Sequence, residues 1–402
     1  MNAAGRKNLL ILSFTLMVVM LGYAMVLPIM PFYIEKLGAG GTELGWLMAT
    51  YALMQLICAP IWGVLSDRYG RKSILSIGIL GYAISMLMFG LSTTFWMLFV
   101  ARSLSGILSS ATMPTAMAYI GDNAPARERG QGMGQLGAAT GIGVIFGPLL
   151  AGLLSTNSLA LPFFVGSALA FVAFLLVIFW LPEARMIPAA AGGQRACPPW
   201  AMYMRVLLGP AGVLLLLIFI MSFGMTNFQG MLGLYVVDKF AFNTKEVGGI
   251  WMLMGAVLIV GQGVLVGPLI KRLGELRLIR VGLAIGGLGF LGVALATDDL
   301  GVWSALTIFI LALSLIGPPL NSFISGFAGE HQGAVMGMNG AFTSLGKALG
   351  PLWGGYIYDV RMEYPFFSGA ATLALGLLVS LFALRNRVPQ NTHAGMLGSA
   401  HG

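Results

Sequence analysis

The stretch Gly63-Val-Leu-Ser-Asp67-Arg68-Tyr-Gly70-Arg71-Lys72-Ser73 sets charges and two glycines between long apolar runs, and its reading decides the fold. Gly70 offers the backbone freedom of a sharp turn, Gly63 suits close helix approach, and the charges must stay wetted or paired. The segment reads as a hairpin between membrane helices. A solvated basic turn is the lesser reading of the same spacing, and a second, degenerate copy counts against it. Gly267-Pro-Leu-Ile-Lys271-Arg272-Leu-Gly274 lies 204 residues on, matching Gly63 with Gly267 and Gly70 with Gly274, with Lys271 in the place of Asp67.

On both sides of each hairpin the chain is apolar. With 58% hydrophobic and 9% charged residues over 402 positions, it cannot cover itself with a water-compatible surface. Apolar runs fall at 8–32, 44–66, 74–92, 95–119, 130–156, 160–182, 206–236, 246–270, 278–296, 301–325, 333–357 and 365–385. Most approach the roughly 20 residues that cross a bilayer as helix. They are continuous, unlike the short alternating strands of a barrel. The expectation is an all-α integral membrane protein with twelve transmembrane helices. The first run is too long for a cleaved signal.

Lys and Arg fall on alternate connections. One side holds Arg6, Lys7, Arg68, Arg71, Lys72, Arg127, Arg129, Lys271, Arg272, Arg277 and Arg280, with further arginines in the central loop and at the C-terminal end, while the other holds Lys36, Lys239, Lys245 and Arg361. This bias puts both termini in the cytoplasm. It also accounts for the net charge of +8 without a nucleic-acid partner. Cys58 and Cys197 imply neither disulfide nor metal framework.

In chain order, the first run carries Tyr23, Pro28 and Pro31, which bend its outer end. The second sets Tyr51, Gln55 and Cys58 on one face, a cavity wall or a polar seam between helices. The third is nearly free of polar residues and is expected to face lipid. The fourth holds Arg102, and the fifth carries Gly132, Gly134, Gly137, Gly141, Gly143, Gly147, Pro148 and Gly152, a smooth surface for close packing with a point of bending.

The hairpin is one of three landmarks that repeat. Gly350-Pro351-Leu-Trp-Gly354 falls 203 residues after Gly147-Pro148, its last glycine one residue out of register with Gly152, and Pro318 falls 204 after Pro114. Two six-helix, pseudo-symmetric bundles in the same orientation follow, residues 1–183 and 206–387, with a Pro/Ala/Gly-rich cytoplasmic linker at 184–205 and a disordered tail at 388–402. Folds of this kind bind substrate between the halves near the midplane.

The Gly63–Ser73 hairpin, Arg102 within Leu98-Phe-Val-Ala-Arg102-Ser-Leu-Ser-Gly106, and the Gly147-Pro148 helix resemble three signature motifs of the major facilitator superfamily. The last is similar to the motif of its drug/proton antiporter branch. Tyr51 through Arg71 resembles tetracycline exporters, and Gly329 through Asp359 resembles the NorA-like multidrug exporters of Gram-positive bacteria. The resemblance implies alternating access. Asp67, Arg71 and Asp122 would lock the cytoplasmic side when the outside is open, with Gly63, Arg68 and Gly70 shaping the gate. Arg102 would influence proton coupling, and Gly147, Pro148 and Gly152 would pack and bend the fifth helix across the halves. It implies a small-molecule substrate, protons and the lipid bilayer as partners, the proton gradient as energy source, no cofactor or metal, and a monomer.

The chain departs from that pattern in its charges. Tetracycline exporters carry a carboxylate in the first helix, near Val19 here, and NorA-like exporters carry acids in the seventh and tenth, where Gln229 and Ser314 stand. No Asp or Glu falls well inside a span. The embedded charges are Arg102 and Lys347, and at the repeat offset their counterparts are Leu306 and Val144. Lys347 lies fourteen residues into its run (333 to 347), about 21 Å deep at 1.5 Å per residue. An unpaired cation there costs about 2.5–3.5 kcal/mol on insertion scales, so it faces a wet cavity, loses its proton, or binds backbone carbonyls at the Gly350-Pro351 break.

Asn339 and Thr343 share a helix face with Lys347, Ser314 and Asn321 share one in the tenth run, and Asn227 and Gln229 flank Phe228 in the seventh. These groups either read a polar substrate or join helices at about 0.6 kcal/mol each. Two cargo readings follow: a drug exported against protons, or an anionic metabolite such as a siderophore or metallophore drawn by the two cations. A membrane enzyme lacks machinery, since His331, His393 and His401 all lie outside the spans.

Overall fold

The computed structural model describes residues 3–183, 204, 207–327 and 332–383. The linker at 184–205 apart from residue 204, Cys197, His331 and the tail at 388–402 lie outside these. The described residues are helical throughout, without a strand. Among the described residues, ten helices are long and apolar enough to cross a membrane. The kinked path from Phe95 to Asn123 and the Gly-rich helix Gln332–Val360 supply two more, which completes the twelve passages expected.

The first six passages are α1 (Ala3–Lys36), α2 (Gly41–Tyr69), α3 (Arg71–Leu91), α4 (Phe95–Ser109 continued by Thr112–Asn123), α5 (Ala126–Leu154) and α6 (Leu161–Trp180). The second six are α7 (Pro210–Phe240), α8 (Thr244–Val260 and Val266–Leu273 around a π-turn at Gly261–Leu265), α9 (Glu275–Leu295), α10 (Asp299–Ser314 continued by Gly317–Phe327), α11 (Gln332–Val360) and α12 (Tyr364–Ala383).

Local chemistry repeats between the halves. Gly70 and Gly274 turn the two hairpins at φ of +97° and +79°, where a side chain would be strained. The side chains of Thr94 and Asp298, 204 residues apart, cap α4 and α10 by accepting from Met97 N at 3.4 Å and Gly301 N at 3.3 Å. The runs at 95–119 and 301–325 are not single helices. Each breaks one turn before its proline, at Ser110–Ala111 before Pro114 and at Leu315–Ile316 before Pro318, because a proline ring clashes with the carbonyl four residues back.

Glycine packing joins the passages. A Cβ on Gly143 or Gly147 would strike the α1 backbone at Met17 and Leu21, and one on Gly346 or Gly350 would strike the α7 backbone at Phe219 and Phe223. Across the halves, Gly152 meets Thr244 and Gly248 of α8, and Gly355 meets Gly41 and Gly45 of α2. The repeat partner of Gly152 is therefore Gly355, at the 203-residue offset of the Gly-Pro pair, and the apparent slip to Gly354 disappears. α3, expected against lipid, is among the more buried spans because it packs between α4 and α6. Phe228, Phe290, Phe309 and Phe366 form the aromatic core of the second half, with the Phe228 and Phe309 centroids 4.3 Å apart. The outer surface exposes large apolar side chains such as Trp96, Phe179, Leu288 and Phe382, as a lipid-facing surface requires.

Candidate functional site

Among the described residues, the close packing between the two halves lies at one end. At the end opposite the Gly63 hairpin, α5 closes on α8 and α2 on α11 through the glycines above. Asp359 of α11 adds a charged clasp there, accepting from the backbone N–H of Gly41 at 2.7 Å and of Thr42 at 2.9 Å and from the Thr42 hydroxyl. Gly40 stands at the N-cap of α2 and has no side chain to cap it, so the carboxylate of the other half does so. At the hairpin end the glycines face open space: a Cβ on Gly63, Gly134, Gly137, Gly263, Gly267, Gly337 or Gly340 would meet nothing within 4 Å.

Between the sealed and open ends lies a cavity of about 490 Å³. It brings together Tyr23, Tyr51, Gln55, Arg102, Gln229, Asn321, Thr343 and Lys347, contributed by α1, α2, α4, α7, α10 and α11. Gly230 of α7 and Pro351 of α11, which pack against each other, form its floor toward the sealed end.

Arg102 is 2% exposed. Its guanidinium carbon lies 4.5 Å from the Tyr51 ring centroid and 5.7 Å from that of Tyr23, and Nη2 lies 3.6 Å from the Met48 sulfur. Its Nε has no hydrogen-bond partner. The cation is thus held by π faces and sulfur, with no carboxylate in contact among the described residues. Tyr51 is fixed in turn by Ser109 Oγ at 3.1 Å and by Gln55 Nε2, which donates at 3.3 Å. Lys347 is open to the cavity and makes no hydrogen bond or ion pair with a described residue. That separates it from the reading in which it binds the carbonyls at the Gly350-Pro351 break.

Three expected site residues lie elsewhere. Asn227 is fully buried behind α7 and donates from Nδ2 to Pro365 O at 2.7 Å, because residues two apart point to different sides of a helix. Ser314 is buried on the far side of the α10 kink, donating to Leu311 O at 2.7 Å and packing on Gly261 of the π-turn. The break at Leu315–Ile316 rotates it away from Asn321, with which it was expected to share a face. Asn339 sits beyond the cavity, donating to Asn321 Oδ1 at 3.0 Å and accepting from Thr343 Oγ1 at 3.4 Å, so it extends a polar strip toward the open end.

Conversely, Ile218, Met221, Ser222, Met225 and Thr226 line the cavity. They precede Gln229 at i−11, i−8, i−7, i−4 and i−3, so the helical face of Gln229 contained them; polarity alone pointed to Asn227. A smaller cavity of about 90 Å³ adjoins the first and shares Tyr23, Leu27, Met225 and Gln229 with it. Trp251, Met254 and Leu258 of α8 close it, and the buried Trp251 Nε1 has no hydrogen-bond partner.

The expected gate residues stay within one half in this conformation. Arg71 donates to Ser66 Oγ at 2.6 Å, pairs with Asp122 at 3.0 Å and forms an i, i+4 ion pair with Asp67. Arg68 lies 5.5 Å from the Tyr69 centroid and takes no part in this cluster. Gly63, expected at a close helix approach, makes none here because the halves are apart at its level. Of the fifth-helix motif, Gly147 packs on α1 in its own half, while Pro148 and Gly152 meet α8 across the interface.

A sequence model of the Major Facilitator Superfamily matches residues 12–336. Multidrug resistance protein 1 of Bacillus subtilis (strain 168) is 33% identical over 381 residues, covering 94% of this chain and 96% of the relative. Quinolone resistance protein NorA of Staphylococcus aureus (strain COL) is 28% identical over 389 residues, covering 95% and 97%. Among solved structures, a bacterial homolog of the human lysosomal transporter Spinster, inward-facing and unoccupied, aligns with a TM-score of 0.77 at 15% identity, covering 97% of this chain and 100% of the other. At that identity the likeness is one of fold.

Proposed function

The chain belongs to the major facilitator superfamily, and from that premise we propose that it exports small drug-like molecules across a bacterial-type plasma membrane by alternating access. The observation that carries the reading is the cavity between the halves, sealed at one end by α2–α11 and α5–α8 packing and open at the other. The basic hairpins mark the open end as cytoplasmic, with both termini on that side. The conformation is then inward-facing, ready to load from the cytoplasm. Export also accords with the names of the relatives, which speak of multidrug and quinolone resistance. A dedicated metallophore exporter gains nothing from them.

We take the proton gradient as the energy source, a monomer as the working unit and transport, not catalysis, as the activity. The test is accumulation of a quinolone and of a fluorescent dye in an efflux-deficient bacterium. Expression should lower accumulation, and a protonophore should restore it. Unchanged accumulation at confirmed membrane expression would overturn the export reading, and export indifferent to the protonophore would overturn the coupling.

A further inference from the structure

We infer that the cavity selects organic anions with an apolar body, the acid group pairing with Lys347 and the body lying toward the side cavity at Trp251. The inference rests on the export reading above, since it names the class of cargo for the same site. Its basis is an imbalance of charge. Two cations, Lys347 and Arg102, line the main cavity, and among the described residues no Asp or Glu lines either cavity.

The acids that stand near these helices are already engaged at their ends. Asp67 and Asp122 pair with Arg71, Asp238 accepts from the Tyr358 hydroxyl at 2.6 Å, and Asp359 clasps Gly41 and Thr42. Arg102 is shielded by its tyrosines and contributes potential, not contact. Lys347 alone of the two is open to the cavity, with no partner among the described residues. A cation held in a membrane interior without a counter-charge is stabilised by any ligand that brings one, and a cationic ligand meets repulsion instead.

The remaining walls specify the rest of the molecule. Met20, Leu27 and Met225 present adaptable apolar surface, and the side cavity adds Met254, Leu258 and the ring of Trp251. An acid group joined to an aromatic or branched body fits both compartments; a small polar anion leaves the second one empty.

The test uses three probes with one ring system, 1-pyrenebutyrate, 1-pyrenebutanol and 1-pyrenebutylamine, titrated against the full chain in lipid nanodiscs. The butyrate should bind about tenfold tighter than the amine, with the alcohol between. Lys347→Gln should remove that preference, Lys347→Glu should invert it, and Lys347→Arg should keep it. Tighter binding of the amine, absence of butyrate binding, or a preference untouched by Lys347→Gln would overturn the inference. Should Lys347→Gln not fold, the wild-type ranking and Lys347→Arg decide it. The same probes in everted vesicles separate this inference from the export reading. Preferential pumping of the amine would overturn the anion selectivity and leave export standing. Anion-selective binding with no probe moved would support the selectivity and count against export.

Discussion

Arg102 spends its charge in an unusual setting for a guanidinium, between two tyrosine faces and a thioether. A desolvated cation–π contact is worth about 2 kcal/mol, which offsets only part of the cost of withdrawing the charge from water. An apolar side chain of similar length should fill the same space without that cost. Arg102→Met is therefore expected to keep or raise the thermal unfolding temperature in detergent while reducing transport about tenfold or more; a lowered unfolding temperature would show that the charge holds the fold. The two hairpin glycines give a paired prediction. Alanine at either must adopt a backbone region close to glycine-only, at a cost of about 1–3 kcal/mol. At Gly70 the added Cβ would also press on the Glu183 carboxylate, whereas at Gly274 it meets nothing within 4 Å. Gly70→Ala should thus destabilise more than Gly274→Ala, by calorimetry or thermofluor ranking.

At the scale of elements, the repeat keeps its geometry and changes its chemistry. Asp67 and Arg71 of the first hairpin correspond to Lys271 and Glu275 of the second, so the charges are exchanged in sign. Arg71 ties α3 to the end of α4 through Asp122, and Glu275 ties α9 to α10 by accepting from Ser322 Oγ at 2.6 Å. Each hairpin holds its own half together by a contact of the same reach. The clasp at the sealed end has no such copy. Asn243 caps α8 from within its own loop, with Glu246 completing a capping box; α2 keeps the matching carboxylate, Glu43 accepting from Gly40 N at 2.9 Å, but takes its N-cap acceptor from Asp359 of the opposite half. Asp359→Ala should remove a cap worth about 0.5–2 kcal/mol that exists only while the halves touch. The expected outcome is a larger fraction of molecules open at that end, seen as a longer distance between spin labels at positions 36 and 364. An unchanged distance distribution would mean that glycine packing alone maintains the seal.

Taken as a whole, the molecule places its smallest residues where the halves must touch and leaves others in open space where they must later meet. Gly248 of α8 admits no Cβ against Pro148 and Gly152, so Gly248→Leu should wedge the sealed end apart and abolish transport without preventing membrane insertion. Gly137 of α5 is open here, so Gly137→Trp should leave stability and probe binding unchanged. It should block transport all the same, since alternating access requires the hairpin end to close over that surface. Full transport by Gly137→Trp would contradict closure at that face.

The sequence by itself determined the solvent, the number of passages and the duplication. Hydrophobic run length and the 203–204 residue offsets of Gly63, Pro114 and Gly147 are one-dimensional quantities that a bilayer turns directly into helices. It also exposed the two embedded cations, because a charge in an apolar run is visible without coordinates. It did not separate Gln229 from Asn227 or Asn321 from Ser314, since polarity says nothing of which side of a helix faces a cavity, and a proline kink changes the phase in between. Nor did it show that Gly147 serves its own half while Gly152 serves the interface. Those distinctions depend on how helices are rotated and brought together, so the tertiary structure decided them, and with them how the Gly63 hairpin stands: still bound within its own half, at the open end of a cavity lined by Arg102 and Lys347.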